Sequence, residues 1–169
     1  MTTNPVQQSI DKLVNNWQRA YSKKGIKVVC ISYKEKETSM IDAFMDYILA
    51  LDSEIENFVW VFESEFLGHN SYANAILKER EELIATWNTM DKPAQYDTGT
   101  IDWIPNYSLV NDKNPMSVLV KNLNDFAKYL FPEKNSAVCY VFKAYSMSKK
   151  EALKWMDYAL EFDFEKHVT

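Results

Sequence analysis

Two glutamates and a histidine lie close together in the sequence, in an arrangement that could bind a divalent cation. Glu63 and Glu65 follow an apolar run, and His69 comes four residues after Glu65. Alternate residues of a strand point to one face, so the two carboxylates would project together if the strand continues through them. Carboxylates and imidazole are suitable ligands for divalent metals. One hypothesis is therefore a carboxylate- or metal-dependent enzyme; the alternative is that these residues only end a strand and form a polar turn.

A second candidate site lies in an irregular segment, about residues 89–113, that has neither helical nor strand periodicity. It contains Trp103, Ile104 and Tyr107 around Pro105, which stiffens the backbone. Trp and Tyr dominate the energetics of protein interfaces, and loops of this length often have a function. We predict that Trp103, Ile104 and Tyr107 contact a partner. The alternative is that the segment folds back and its rings complete the core.

The carboxyl-terminal residues provide a third candidate. After the last predicted helix the sequence contains only His167, Val168 and Thr169, where a further strand would be expected. A sheet edge left unpaired is a template for a strand from another chain. Val168 is therefore also predicted to bind a partner, through backbone pairing.

Composition and charge argue against nucleotide and nucleic-acid binding. The three glycines, Gly25, Gly68 and Gly99, are isolated, so neither glycine-rich phosphate-binding motif is present. The net charge is −5, and no basic run exceeds two residues. A phosphate backbone would therefore meet no positive stripe. We expect no nucleotide, no nucleic-acid partner and no cofactor.

Nucleophilic catalysis has little support either. Cys30 and Cys139 lie inside apolar, strand-like runs, which predicts buried, reduced and unreactive thiols and a reducing compartment. The amino-terminal residues lack the pattern of a signal peptide. No apolar run approaches the roughly 20 residues of a membrane helix. These observations predict a protein that does not bind a membrane and that is cytoplasmic; the alternative is that it leaves the cell by a route that needs no cleavable signal.

Helices and strands alternate along the chain and must position these residues. Asn4–Pro5 and Asn114–Pro115 each place proline after a cap residue, and Ser148 with Glu151 forms a capping box. The apolar runs 26–33, 57–64 and 136–142 have the composition and length of strands that are buried on both faces, which favours parallel pairing. The predicted fold is one α/β domain over residues 1–169. It is layered, with a small, mostly parallel sheet of three or four strands covered by about five helices.

The longest predicted helix runs from Asn70 or Ser71 to about Met90. Its apolar line consists of Tyr72, Ile76, Leu83, Trp87 and Met90. A run of four charged residues is assigned to its solvent-facing side: Glu79, Arg80, Glu81 and Glu82.

The function favoured by these observations is a non-enzymatic protein-interaction module, such as an adaptor, a chaperone-like protein or an assembly component. This follows from the large supply of aromatic residues, 14% of the chain, and from the missing catalytic and phosphate-binding motifs. The partner is another protein or a second copy of the chain. The alternative is the carboxylate- or metal-dependent enzyme around Glu63, Glu65 and His69.

Overall fold

The computed structural model describes residues 4–21, 29, 31–49, 58–91, 99–107, 114–133, 138–143, 146–162 and 164. Within these residues the chain forms five α-helices, one short 3-10 helix and two strands. Their order is α1 Pro5–Tyr21, the 3-10 helix Glu35–Glu37, α2 Thr38–Leu49, β1 Phe58–Phe62, α3 His69–Thr89, α4 Pro115–Leu130, β2 Val138–Phe142 and α5 Lys149–Leu160.

The two strands pair in parallel, in a register that runs from Phe58 opposite Val138 to Phe62 opposite Phe142. The predicted parallel pairing is therefore confirmed, and β1 ends at Phe62, before residues 63 and 64 of the predicted run 57–64. Residues 57 and 136–137 of the predicted runs lie outside the described residues. The predicted three or four strands are not confirmed. Val29 and residues 31–33 are described and are not strand, and the rest of the run 26–33 lies outside the described residues.

The sheet is covered on both faces, as its apolar composition predicts. On one face the alternate residues Trp60, Phe62 and Tyr140 pack with α3, α4 and α5 in the larger core cluster. On the other face, side chains of both strands, among them Val59 and Val141, pack against α2 and residues of α1. The structure is thus a three-layer α/β arrangement around a parallel pair.

Capping chemistry fixes the helix ends. The Asn114 side chain accepts a hydrogen bond from the backbone N–H of Met116 at the start of α4, and Ser148 with Glu151 forms the predicted capping box of α5. At α3 the structure differs from the sequence interpretation, because the helix begins at His69 after Gly68 rather than at Asn70 or Ser71. Gly68 has φ 109°, a conformation that favours glycine.

The direction of the helices accounts for the long irregular segment. α3 follows β1 and α4 precedes β2; since the strands are parallel, α3 and α4 run in the same direction and pack side by side. The chain that joins them must therefore travel back along both helices. A short turn cannot make this connection, so the connector is a requirement of the topology.

The predicted burial of the cysteines is confirmed at Cys139. This thiol is free and 2% exposed, and its burial raises the pKa of the group to about 12. Cys30 lies outside the described residues.

None of the helices in the described part of the chain is long and apolar enough to cross a membrane.

Candidate functional site

The structure does not bring the predicted metal ligands together. Glu63 follows β1 and forms an ion pair with Lys143, which follows β2, at 2.5 Å. Glu65 is exposed, and His69 starts α3 with its ring edge-on to Phe66. Over the described ranges, no three His, Cys, Asp or Glu side chains are grouped closely enough to hold a metal ion. Glu63 is used instead to tie the ends of the two strands together.

An open cleft of about 410 Å³ lies beside the carboxyl end of β1. Glu79 of α3 lines it and accepts hydrogen bonds from the backbone N–H groups of Glu63 and Ser64, at 2.7 and 2.9 Å, and from the Ser64 hydroxyl. These bonds satisfy the backbone donors where the strand ends. Lys78 and Glu82 also line the cleft, and the Lys78 Nζ lies 3.9 Å from the Glu82 Oε1. Three glutamates line the cleft, but the carboxylate of Glu79 is already hydrogen-bonded to the backbone at the end of β1.

The connector between α3 and α4 is held at two points by asparagine side chains. Asn88 of α3 accepts from the backbone N–H of Ile101 at 2.8 Å and donates to the carbonyl of Ile101 at 2.9 Å. Asn122 of α4 accepts from the N–H of Asn106 at 2.7 Å and donates to its carbonyl at 3.4 Å. We call Asn88 and Asn122 the asparagine clamps and residues 101–107 the clamped segment. Each clamp forms these hydrogen bonds with backbone atoms. The bonds therefore do not depend on which side chain Ile101 or Asn106 carries.

The clamped segment alternates between buried and exposed residues, as an extended chain on a surface does. Ile101, Trp103 and Pro105 are buried, whereas Asp102 and Ile104 are exposed. The segment lies antiparallel to α4, because Asn122 binds Asn106, Asp125 binds Trp103 and Tyr129 binds Asp102. The Asp125 carboxylate accepts from the Trp103 indole N–H at 2.8 Å, and the Tyr129 hydroxyl accepts from the Asp102 N–H at 3.1 Å.

This geometry separates the residues that the sequence predicted to bind a partner. Trp103 is 8% exposed and belongs to the core, as the alternative interpretation of the segment expects for its rings. Ile104 is 72% exposed and Tyr107 39% exposed. Val168 lies outside the described residues. Of the predicted contact residues, Ile104 and Tyr107 are at the surface.

Tyr107 connects the end of the clamped segment back to α3. Partial burial raises the pKa of its phenol to about 12, and a hydrogen bond and the negative charge of Glu81 add to this shift. The neutral phenol is thereby favoured beside the Glu81 carboxylate. The clamped segment therefore contacts α3 at both ends, at Asn88 and at Glu81.

Arg80 of α3 is fully buried in the core and surrounded by aromatic rings. Its guanidinium carbon lies 4.3 Å from the nearest ring centroid, that of Phe126. The four other rings lie at 4.8 to 5.6 Å and come from three different elements of the fold: Tyr140, Phe62, Trp103 and Trp60. We call these five rings the aromatic cage. Trp103 is the wall of the cage that the connector provides.

In the part of the chain that the structure describes, Arg80 is paired with no acid. None of its three guanidinium nitrogens forms a hydrogen bond of good geometry among these residues. The Tyr140 hydroxyl, which donates to the Leu123 carbonyl, is near enough to interact with the guanidinium. Burial lowers the pKa of the guanidinium, and the nearby Tyr140 hydroxyl offsets part of the shift. Arginine nonetheless remains protonated in proteins at neutral pH. The face of an aromatic ring attracts a cation, more strongly when water is excluded, so five rings partly replace the missing anion.

The burial of Arg80 corrects the sequence interpretation, which placed it on the solvent-facing side of α3. Arg80 is 0% exposed. It lies four residues after Ile76 and four before Ile84, both of which are buried. The apolar line predicted for this helix has a gap at this position, and helical spacing alone would have placed residue 80 within it. Because Arg80 is charged and lies among acidic residues, it was assigned to the solvent-facing side rather than to the buried face of the helix.

No sequence pattern pointed to the two clamps or to Glu79. Asn88 and Asn122 lie within amphipathic helices, where asparagine has no required role, and each acts on backbone elsewhere in the chain. Glu79 lies within a charged run that fits an ordinary solvent-facing side of a helix. These roles depend on how α3, α4 and the connector pack.

Comparison of the chain with models of protein families, with curated proteins and with solved structures found no match.

Proposed function

We propose that this protein is a non-enzymatic protein-interaction module and that the outer side of the clamped segment is its contact surface. The observation that carries the proposal is Ile104, whose side chain is 72% exposed on a backbone fixed from both sides. Its neighbours Trp103 and Pro105 are buried and hold it outward.

Fixed presentation matters because binding costs conformational entropy. An exposed residue on a free loop must be ordered when a partner binds, which costs free energy. Asn88 and Asn122 already hold the backbone of the clamped segment, so Ile104 is presented in one orientation before any contact forms. A side chain that is already ordered therefore costs less conformational entropy when a partner binds it.

The surroundings of Ile104 have the composition of an interface. Tyr107 and Tyr129 are 39% and 44% exposed, and each contacts the clamped segment or belongs to it. Asp102 and Asn106 are exposed on the same outward side of the segment as Ile104. An apolar and aromatic centre with a polar rim is typical of surfaces that bind other proteins.

The enzyme alternative has no comparable support. Of its two carboxylates, Glu63 pairs with Lys143 and Glu65 is exposed, and the described residues group neither with His69 as a metal site.

The test compares two residues of equal exposure. Ile104 and Leu67 are each 72% exposed, and Leu67 lies in the turn before α3, away from the clamped segment. Wild type, Ile104→Ser and Leu67→Ser are each immobilised, and the proteins recovered from a lysate of the native organism are quantified by mass spectrometry. Sedimentation velocity on the same three proteins measures self-association.

The proposal predicts that Ile104→Ser loses a partner, or self-association, that Leu67→Ser keeps. Equal behaviour of the two variants would contradict it. A chain ending at Lys166 tests the second predicted surface, Val168, because loss of the partner only in that chain assigns binding to the tail.

A further inference from the structure

The groove between α3 and α4 has the features of a binding site for an extended peptide. Its two clamps contact only the backbone of the clamped segment, at Ile101 and Asn106, through one donor and one acceptor each. Any non-proline residue offers the same N–H and carbonyl pair. The groove thus binds a chain direction and an extended conformation more than a particular sequence.

The clamped segment provides no hydrogen-bond acceptor for the guanidinium group of Arg80, which lies in this groove. The side chain at the central inward position, Trp103, points towards Arg80, with the guanidinium carbon 5.5 Å from the ring centroid. An indole provides a π face but no acceptor for the N–H groups of Arg80, which form no hydrogen bond of good geometry among the described residues. A charged group left in this state is costly, since a buried donor normally finds an acceptor.

We propose that the α3–α4 groove is a peptide-binding site, at present occupied by the chain's own clamped segment, and that its ligand is an extended peptide with a glutamate at the position of Trp103. The asparagine clamps would bind the peptide backbone, and Arg80 would bind the carboxylate. The proposal does not depend on the contact surface around Ile104, which faces away from the groove.

The choice of glutamate follows from the geometry of the cage. The carboxylate must reach past the segment backbone to a guanidinium that now lies behind an indole ring, so a short acid is less suitable than a long one. Arginine binds a carboxylate through two parallel hydrogen bonds, which matches the planar fork of Arg80. The four other rings of the cage exclude water, and an ion pair formed there is screened little by salt.

The connected segment competes with any free peptide. A segment tethered at both ends has an effective concentration on the order of millimolar, so a peptide that only reproduced its contacts would not displace it. The ion pair with Arg80 is the contact that the chain's own segment lacks. It is therefore the interaction that decides whether the groove exchanges its occupant.

The first experiment places the acid in the chain itself. Trp103→Glu and Trp103→Gln differ only in charge at this position, and their unfolding equilibria are measured in urea. We expect the Glu variant to have an unfolding equilibrium constant at least tenfold smaller than that of the Gln variant. The order is expected to reverse when both carry Arg80→Met, because the carboxylate is then buried without a cation.

The second experiment supplies the peptide in trans. A fluorescein-labelled peptide with the sequence of residues 99–107, carrying glutamate in place of Trp103, is titrated with the Trp103→Ala chain and followed by fluorescence anisotropy. The control peptide carries glutamine at the same position. We expect at least tenfold tighter binding of the glutamate peptide, loss of this preference with Arg80→Met, and weaker binding of both peptides with Asn88→Ala.

The controls distinguish binding in the groove from binding elsewhere on the protein. Leu67→Ser, in the turn before α3, is expected to leave peptide binding unchanged. Peptide affinity is measured without any partner of the Ile104 surface, so failure of that surface does not affect the result. A free N-acetylglutamate amide is expected not to compete, because it lacks the backbone that the clamps bind. If Trp103→Ala does not fold, Trp103→Phe replaces it. Equal affinity for the glutamate and glutamine peptides, or no binding of either by the folded variants, overturns the proposal.

Discussion

Asn88 and Asn122 bind one stretch of chain at two points, each pairing its amide with the N–H and the carbonyl of a single residue, Ile101 and Asn106 respectively. The Asn122 amide also donates to the Val118 carbonyl of its own helix, at 2.9 Å. Asn88 belongs to α3 and Asn122 to α4, so the connector also joins the two helices. The clamped segment is thus part of the framework of the fold, although it contains no regular secondary structure apart from its last residue.

Removing either clamp should destabilise the protein. Asn88→Ala removes two hydrogen bonds from the Ile101 backbone, and Asn122→Ala removes two from the Asn106 backbone. We expect each substitution to lower the free energy of unfolding by about 1–3 kcal/mol. Urea denaturation measures the change, and Asn16→Ala, at an exposed position of α1, is the matched control. If the clamp variants lose no more stability than the control, the clamps do not hold the connector.

Arg80 is expected to be unfavourable for stability. Arg80→Met keeps most of the side-chain volume and removes the buried charge, so the variant should be at least as stable as wild type. Arg80→Ala should be less stable than Arg80→Met by about 2–5 kcal/mol, because it leaves a cavity in the core. Thermal and urea unfolding of the two variants measure these differences. A large loss of stability in Arg80→Met would show that the cage depends on the cation.

We expect the Tyr107 phenol to lose its proton at a higher pH than an ordinary tyrosine does. Its pKa is raised to about 12, first by burial and then by Glu81, so Glu81→Gln should lower it part of the way to the ordinary value of 10.0. Absorbance at the tyrosinate band, as a difference from Tyr107→Phe, follows this one group. Glu82→Gln is the control on the same helix. An unchanged Tyr107 pKa in Glu81→Gln would disprove the contact.

The same shift has a consequence for stability at high pH. The folded state holds the Tyr107 proton more tightly than the unfolded state, whose phenol titrates near the ordinary value. The stabilisation is therefore complete below that value and is lost as the pH rises from about 10 to about 12. Tyr107→Phe should show a smaller fall in the free energy of unfolding over this interval than wild type.

Cys139 should be unreactive in the native protein. Its thiol is 2% exposed with a pKa of about 12, so little thiolate forms at neutral pH and little reagent reaches it. In a Cys30→Ser chain, where Cys139 is the one thiol, labelling with Ellman's reagent should be slow in buffer and fast in urea. Rapid labelling without denaturant would contradict the buried position.

The helices were the part of the fold that the sequence predicted best. Capping residues such as Asn114 and Ser148 act within a few positions of themselves, so local patterns are sufficient to find them. Strand extents were less well predicted. The acids after Phe62 leave the ladder because Glu63 pairs with Lys143 and Glu79 binds the backbone, and both contacts are between distant residues.

The candidate site could be predicted only in part. Ile104 and Tyr107 were predicted as contact residues because large apolar and aromatic residues in an irregular segment are conspicuous, and their contact with a partner stays a prediction. Trp103 was predicted to contact a partner, with burial in the core as the alternative, and it is buried, since its place depends on Asp125 and Phe126 of α4. Arg80 could have been found from helical spacing, whereas Asn88 and Asn122 could not, because their partners are determined by three-dimensional packing.

The register of the sheet also determines the order in which this protein can be assembled on the ribosome. Phe58 pairs with Val138, so 80 residues must be synthesised after the start of β1 before its partner strand exists. At translation rates of about 5–20 residues per second, this takes about 4–16 s. Throughout that interval β1 has none of the backbone hydrogen bonds that β2 provides. The nascent chain therefore exposes an apolar strand edge for far longer than helices need to form, and this is the period in which a chaperone would be of most use.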